Sequence, residues 1–249
     1  MTKIKDTALA LRGVNYSETS QVVTLLTRDH GKIAAMAKGS RRPRSAFEGA
    51  IEPFAFGQVM FIASPTDTLA TLTELVRIPR FRLLHSHLTA MYAGLFALEL
   101  TEAFCREYDP HPALFDALVV ALERLEQCDN AACVMVVLMD YQLTLLAEIG
   151  IAPVLDACVN CGLAVFTTPK DLYFSCAANG LLCPGCEPSF TDKRRLSAAC
   201  AAALNRSVPL DNTPPAVAAE AERVLIYHFT ELLGRPPKMA KYVMEQNRK

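Results

Sequence analysis

The sequence predicts a multidomain β + α protein: a small closed β-barrel, then an α-helical bundle with a four-cysteine knuckle inserted in it. Three observations predict this. Across residues 1–80 apolar residues alternate with period two in five short runs separated by turn residues. From about residue 83 the period lengthens to 3.6. Within the helical half, two Cys-x-x-Cys pairs stand twenty-one residues apart. The expected division is a barrel over residues 1–80 and a helical domain over 81–249, with the knuckle inserted at 154–190.

The barrel elements follow in order. Thr7-Ala8-Leu9-Ala10-Leu11 is the first strand, and residues 13–20 are polar and turn-like. Residues 22–27 are a β-branched second strand. Arg28-Asp29-His30-Gly31 is a hairpin turn in which Gly31 can take a positive φ. Residues 32–38 form the third strand and 51–62 the fourth, with Pro53 near its start, where a missing N–H is tolerated. Residues 64–67 make a turn, and residues 69–76 alternate as the fifth strand. Five strands with a long loop between the third and fourth fit an OB-type barrel. An SH3-like barrel has a similar pattern, and alternation alone does not separate the two.

The stretch 32–47 carries Lys32, Lys38, Arg41, Arg42 and Arg44 and no acidic residue. Its first half is a strand, and Gly39, Ser40 and Pro43 break it into a loop. A basic strand entering a basic loop suits a polyphosphate backbone. The cations neutralise phosphates and release condensed counterions, and arginine forks meet phosphate oxygens in pairs. Phe47 follows directly as a candidate for stacking on a base, as do Phe54 and Phe56, of which at least one is expected in the core. The competing reading is a solvated loop kept basic for solubility.

In the second half, Leu88, Met91, Tyr92, Leu95, Phe96, Glu99 and Leu100 trace the stripe of a helix reaching about residue 106. Pro112 suits the first turn of a second helix through Leu118, Leu122 and Leu125. Residues 131–149 are apolar almost all round, as in the central helix of a bundle, and stop at Gly150. Residues 193–205, rich in alanine, read as helix. Thr213-Pro214-Pro215 opens another helix that ends at Gly234, with Pro236-Pro237 barring its continuation.

Each Cys-x-x-Cys is a tight turn that aims two thiolates at one point. Cys158 and Cys161 with Cys183 and Cys186 therefore give the four-sulfur set that structural Zn2+ prefers, with no position left open. Residues 164–167, 172–175 and 179–182 read as a hairpin between the pairs. Cys176 is read as a bystander, and Cys105, Cys128, Cys133 and Cys200 as buried inert thiols. Nine cysteines, an odd count without a secretory signal, argue against a disulfide scaffold.

A formal net charge of −1 hides an uneven distribution: residues 1–82 carry +5 and residues 83–249 carry −6. Such asymmetry suggests that one part meets a polyanion. The longest unbroken apolar run, residues 131–139, is short for a membrane span, so the expected compartment is the cytoplasm and no membrane contact is expected. No phosphate-loop, nucleophile-elbow or His-Glu-x-x-His motif occurs, and no His-x-Glu accompanies the cysteines, so no enzyme class is indicated. His85, His87 and His228 are read as structural and the carboxylates as solvated helix faces.

The chain resembles the bacterial recombination mediator RecO family. The resemblance rests on Ser17-Glu18-Thr19 before residues 22–27, on Gly31, on Ala37-Lys38-Gly39-Ser40-Arg41-Arg42 and on Ile51-Glu52-Pro53-Phe54. It continues through residues 143–153 into Cys158-Val159-Asn160-Cys161-Gly162 and Gly180-Leu181-Leu182-Cys183-Pro184-Gly185-Cys186. The resemblance implies an OB-fold that binds single- and double-stranded DNA and anneals complementary strands. It also implies partnership with RecR, contact with the C-terminal tail of single-strand-binding protein, help in loading RecA, and association with the nucleoid.

The residues expected at DNA are Lys38, Arg41, Arg42 and Arg44, supported by Lys32 and Arg12, with Phe47 stacking on a base. The rival expectation is an interaction adaptor built on the zinc knuckle and the acidic bundle, with an incidental basic barrel.

Overall fold

A computed structural model describes residues 2–63, 69–165, 172–209 and 212–246. Two compact units divide the chain, one of Met1–His87 with Ala97–Glu126 and one of Leu88–Phe96 with Gln127–Lys249.

The first unit holds the barrel. Its strands are β1 (Lys3–Asn15), β2 (Gln21–Thr27), β3 (Gly31–Ala37), β4 (Phe56–Ile62) and β5 (Ala70–Arg77), in the closed order β1-β2-β3-β5-β4. All pairs are antiparallel except β3–β5. That parallel contact closes the barrel with OB connectivity and removes the SH3-like alternative. β1 runs into the stretch expected to be a turn, because it must pair with both β2 and β4, and a bulge between Ala10 and Arg12 bends it from one partner to the other. β4 starts later than expected. Residues 51–55 instead cross the barrel end, with Phe54 at φ +70 and its N–H donating to Ala10. The turn expected at residues 64–67 lies outside the described residues.

The β2–β3 turn is fixed from inside. Asp6, buried on β1, accepts from the Asp29 N–H at 3.1 Å and from His30 Nδ1 at 2.7 Å. Gly31 has φ +73, and a Cβ there would collide with the Asp109 backbone. The same unit contains α2 (Pro112–Glu126) and the C-terminal half of α1 (Leu88–Phe104). Arg28 pairs with Asp116 at 2.7 Å, and Lys32 Nζ donates to the Glu102 carbonyl at 2.6 Å.

The second unit is built on α3 (Ala131–Glu148), which packs against α5 (Pro215–Leu233). Despite Asp140, α3 is long and apolar enough by length and composition to cross a membrane, and it occupies the core of this unit. The same unit holds α4 (Ala198–Leu204), which packs on α5, α6 (Ala240–Gln246) and a small sheet of β6 (Leu172–Ser175), β7 (Gly180–Leu182) and β8 (Lys193–Leu196) in the order β7-β6-β8.

Three expectations are corrected here. Residues 193–196 are strand, because β6 has β7 on one edge and needs a partner for its other one; the helix begins only after Ser197, whose hydroxyl caps Cys200 N–H at 3.1 Å. Cys128 and Cys133, five residues apart, are joined by a disulfide at the N-terminus of α3. Cys105 and Cys200 are buried free thiols, and burial raises Cys105 to about 11 and Cys200 higher still. Finally, Glu222 is not on a solvated face: it is fully buried on α5 with Gln142 and His228 also inside.

Candidate nucleic-acid interface and metal centre

The metal centre lies in the second unit. Its residues are held by backbone bonds that follow from the Cys-x-x-Cys spacing. Gly162 N–H donates to the Cys158 carbonyl and Cys158 N–H to the Leu163 carbonyl, both at 2.8 Å, while Cys186 N–H donates to the Cys183 carbonyl at 3.0 Å. Gly162 takes φ +73, which lets the first turn double back. Val159 N–H donates to Leu181 at 2.8 Å, fastening that turn to β7. The two turns thus face each other, and the four Sγ atoms of Cys158, Cys161, Cys183 and Cys186 all lie within 4.8 Å of one another.

The Cys161 and Cys183 sulfurs are 3.8 Å apart. The sulfur–sulfur edge of a tetrahedral four-thiolate site with metal–sulfur bonds near 2.3 Å is also about 3.8 Å. The donor set therefore fits a tetrahedral metal. Burial opposes ionisation of Cys158, but the N–H groups of Cys183, Cys161 and Asn160 with the Cys161 thiol outweigh it and bring its pKa down to about 6. Asn160 Nδ2 donates to the Cys186 sulfur at 3.3 Å, favouring its thiolate, yet the Cys161 and Cys183 thiols together with burial push Cys186 up to about 12. Cys176 stands outside the group; burial raises it to about 12, and its thiol lies beside Tyr227, Glu231 and Asp192. Of the hairpin expected between the pairs, β6 and β7 are present and residues 166–167 lie outside the described residues.

The basic loop lies in the first unit. Lys38, Arg41, Arg42 and Arg44 are all exposed, and none of them pairs with an acidic side chain among the described residues. The loop is nevertheless anchored. Buried Gln21 accepts from Ser40 Oγ at 3.0 Å and from Ile51 N–H at 2.8 Å, and Arg41 N–H donates to the Thr19 carbonyl at 3.1 Å. Ser40 is wholly buried, so the cations stand on a fixed base.

The other expected residues are placed differently. Arg12 is exposed but reaches Glu102 at 3.5 Å, and Lys32 is half-buried with its ammonium on the Glu102 carbonyl. Phe47 is 3% exposed inside the barrel core, where no base reaches it. Phe54 and Phe56 are buried too; Phe56 packs on Phe81 and Phe115, with Arg80 over its ring at 4.8 Å. Their aromatic faces serve the core because the hydrophobic effect outweighs a surface position for a large ring with no polar partner.

An aromatic that the sequence reading passed over is exposed instead. Tyr16 is 71% exposed and lines a cleft of about 420 Å3 with Ser17, Ser20, Met36, Lys38, Gly39 and Arg42. Extending the first strand's alternation from Arg12 through Val14 would have put Tyr16 on the same outward face.

Comparison with known proteins gives a consistent answer. The family description "Recombination protein O N terminal" matches residues 1–79, and "Recombination protein O C terminal" matches residues 85–241. The chain is 34% identical over 245 residues to the DNA repair protein RecO of Anaeromyxobacter sp. (strain K), covering 94% of this chain and 93% of that protein. It is 30% identical over 247 residues to the DNA repair protein RecO of Bacillus pumilus, covering 96% and 93%. With the DNA repair protein RecO of Salinibacter ruber it is 40% identical over 153 residues, 61% of this chain and 58% of that protein's length.

Proposed function

The chain belongs to the recombination protein O family, and on that premise we propose that it acts in DNA repair and recombination as a DNA-binding mediator. It binds single- and double-stranded DNA on the β2–β3 side of its barrel and brings complementary strands together. The observation that carries this reading is the set Lys38, Arg41, Arg42 and Arg44, exposed together on an anchored loop beside the OB face. That face and its adjoining loops are where OB barrels take oligonucleotides.

The mechanism is charge screening followed by base pairing. Four cations within a few residues neutralise phosphates and release their counterions. Two strands held at one neutralised surface no longer repel each other, and Watson–Crick pairing then selects the partner. No covalent step and no nucleotide cofactor enter this account. RecR, the tail of single-strand-binding protein and, indirectly, RecA are the partners we propose for it, with action at cytoplasmic, nucleoid DNA.

Zinc is the metal that best suits the four thiolates, since a closed tetrahedral sulfur set is its structural preference. Bound there, it would supply a fixed double positive charge and a covalent-strength staple. Cys158, Cys161, Cys183 and Cys186 would hold it, and β6 and β7 would be tied to the turn before them.

The test is binding and annealing of labelled complementary oligonucleotides by the full chain and by its Arg41→Ala/Arg42→Ala variant. Binding by the first, with both activities weakened together in the folded second, is expected. Equal affinity for both proteins at moderate salt would refute the assignment of the loop.

A further inference from the structure

The cleft at the end of the barrel does more than collect phosphates. Register shows how it is built. Val14 pairs with Val22, and Val22 pairs with Met36, so three apolar side chains form one row across β1, β2 and β3 on the outer face. Beyond that row the strands end. The Tyr16 N–H donates to the Ser20 carbonyl at 3.0 Å, which keeps the β1–β2 connection narrow and the strand direction unchanged through Tyr16. Two residues past Val14 and Met36, on the same face, come Tyr16 and Lys38.

The cleft between Tyr16 and Lys38 has about 420 Å3, within the roughly 300–1,000 Å3 range of small-ligand clefts. Its lining combines an aromatic ring (Tyr16), an apolar side chain (Met36) and two cations (Lys38 and Arg42). The Arg42 side chain lies over Gly39, and the Gly39 N–H is held by Ser20 Oγ at 3.2 Å. The Tyr16 ring stands free in solvent at the mouth of this cleft, and each base offers it a flat π-face.

The geometry points to Tyr16 as the platform on which one unpaired base stacks, with Lys38 and Arg42 holding the flanking phosphates. The inference rests on the DNA-binding reading above and deepens it. In a duplex both faces of every base are covered by neighbours, so only an unpaired base, in a single strand or at a fork, presents its face to the ring. The subsite therefore makes this end of the barrel prefer single strands, which the loop cations alone do not.

The experiment uses the full chain, a labelled oligo-dT, a relaxed circular duplex without ends or unpaired loops, and an abasic oligomer of the same length as the oligo-dT. Tyr16→Ala is expected to weaken oligo-dT binding by about 5- to 150-fold, the worth of one stacked base. Duplex affinity and the salt slope should stay unchanged, and Tyr16→Phe should bind oligo-dT as the parent does. The chain contains no tryptophan, so Tyr16→Trp adds a single reporter whose emission oligo-dT should quench and the abasic oligomer should not. Unchanged oligo-dT affinity in Tyr16→Ala, an equal loss on oligo-dT and duplex, or equal quenching by the abasic oligomer would overturn the subsite while Arg41→Ala/Arg42→Ala still tests the loop. Failure of the parent chain to bind any of the three probes would overturn the DNA reading and the subsite together.

Discussion

Glu222 on α5 accepts a 2.9 Å hydrogen bond from the side-chain amide of Gln142 on α3, and both residues are fully buried. Its second oxygen has no described partner, nor does either ring nitrogen of His228 one turn and a half further along the helix.

This arrangement predicts a pH dependence. Burial raises the Glu222 carboxyl from 4.5 to about 7, against the smaller opposing effect of the Gln142 bond. Between those values the folded state keeps a proton that the unfolded chain has lost, so stability falls as pH rises through that window, by up to about 3 kcal/mol. His228 acts in the opposite sense: burial lowers it from 6.5 to about 4, so its contribution rises with pH between those values. Glu222→Gln isolates the first effect. Urea midpoints of parent and variant should agree near pH 4.5 and separate by pH 8, with the variant more stable; parallel curves would show that Glu222 ionises normally.

The loop cations predict a salt slope. Lys32 and Arg12 are engaged with Glu102, which leaves Lys38, Arg41, Arg42 and Arg44 for phosphates. Four contacts to a single strand give a slope of log K against log salt near −2.8, taking about −0.7 per contact. Arg41→Ala/Arg42→Ala should bring it to about −1.4 with an unchanged circular dichroism spectrum. Fluorescence anisotropy across a salt series measures both, and a flat response in the parent chain would remove the electrostatic account.

Metal content follows from the thiolate cluster. Atomic absorption on protein purified without chelators should find one zinc per chain, lost or weakened in serine variants of Cys158, Cys161, Cys183 and Cys186 but kept in Cys176→Ser. The small β7-β6-β8 sheet relies on that staple. Cys158→Ser should therefore expose Leu172 and Phe174, now buried, to a hydrophobic dye. Metal lost in Cys176→Ser but kept in one of the four would mean a different ligand set.

Gln21 should matter to the loop without touching a ligand. Its side chain bonds Ile51 at both the N–H and the carbonyl and receives the Ser40 hydroxyl, all in the interior. Gln21→Ala leaves those groups unsatisfied and should cost about 1–3 kcal/mol of stability. A second effect is expected on DNA affinity, because the cations then ride on a loop that has lost its anchor. An unchanged urea midpoint would show that the buried bonds contribute nothing net.

Much of the fold could be read along the chain. Alternation at residues 22–27 and 32–38, the 3.6 period of α1 to α3 and the Cys-x-x-Cys spacing are local patterns, and each emerged within a residue or two of its expected place at most ends. The errors had one character. Phe47 sits beside a run of arginines and looked like part of it, but its ring fills the barrel. Residues 193–196 precede alanines and looked helical, yet β6 supplied an edge for them to pair with. Cys128 and Cys133 looked like separate buried thiols and are bonded.

Which residues bear charge, which thiolates can share a metal, and where the period changes from strand to helix are carried by residue type and short-range spacing, and so are legible along the chain. Tertiary structure alone decided which side of the backbone each ring faces at the barrel's end. A strand's side chains alternate strictly, so Tyr16 is outside and Phe47 inside only once β1 is known to extend to Asn15 and the loop to fold back over the core. Tertiary structure also decided that a glutamate on an amphipathic helix would be buried, because α3 and α5 meet where Gln142 can donate to it. The burial of Phe47 and of Glu222 depends on partners brought up from distant parts of the chain.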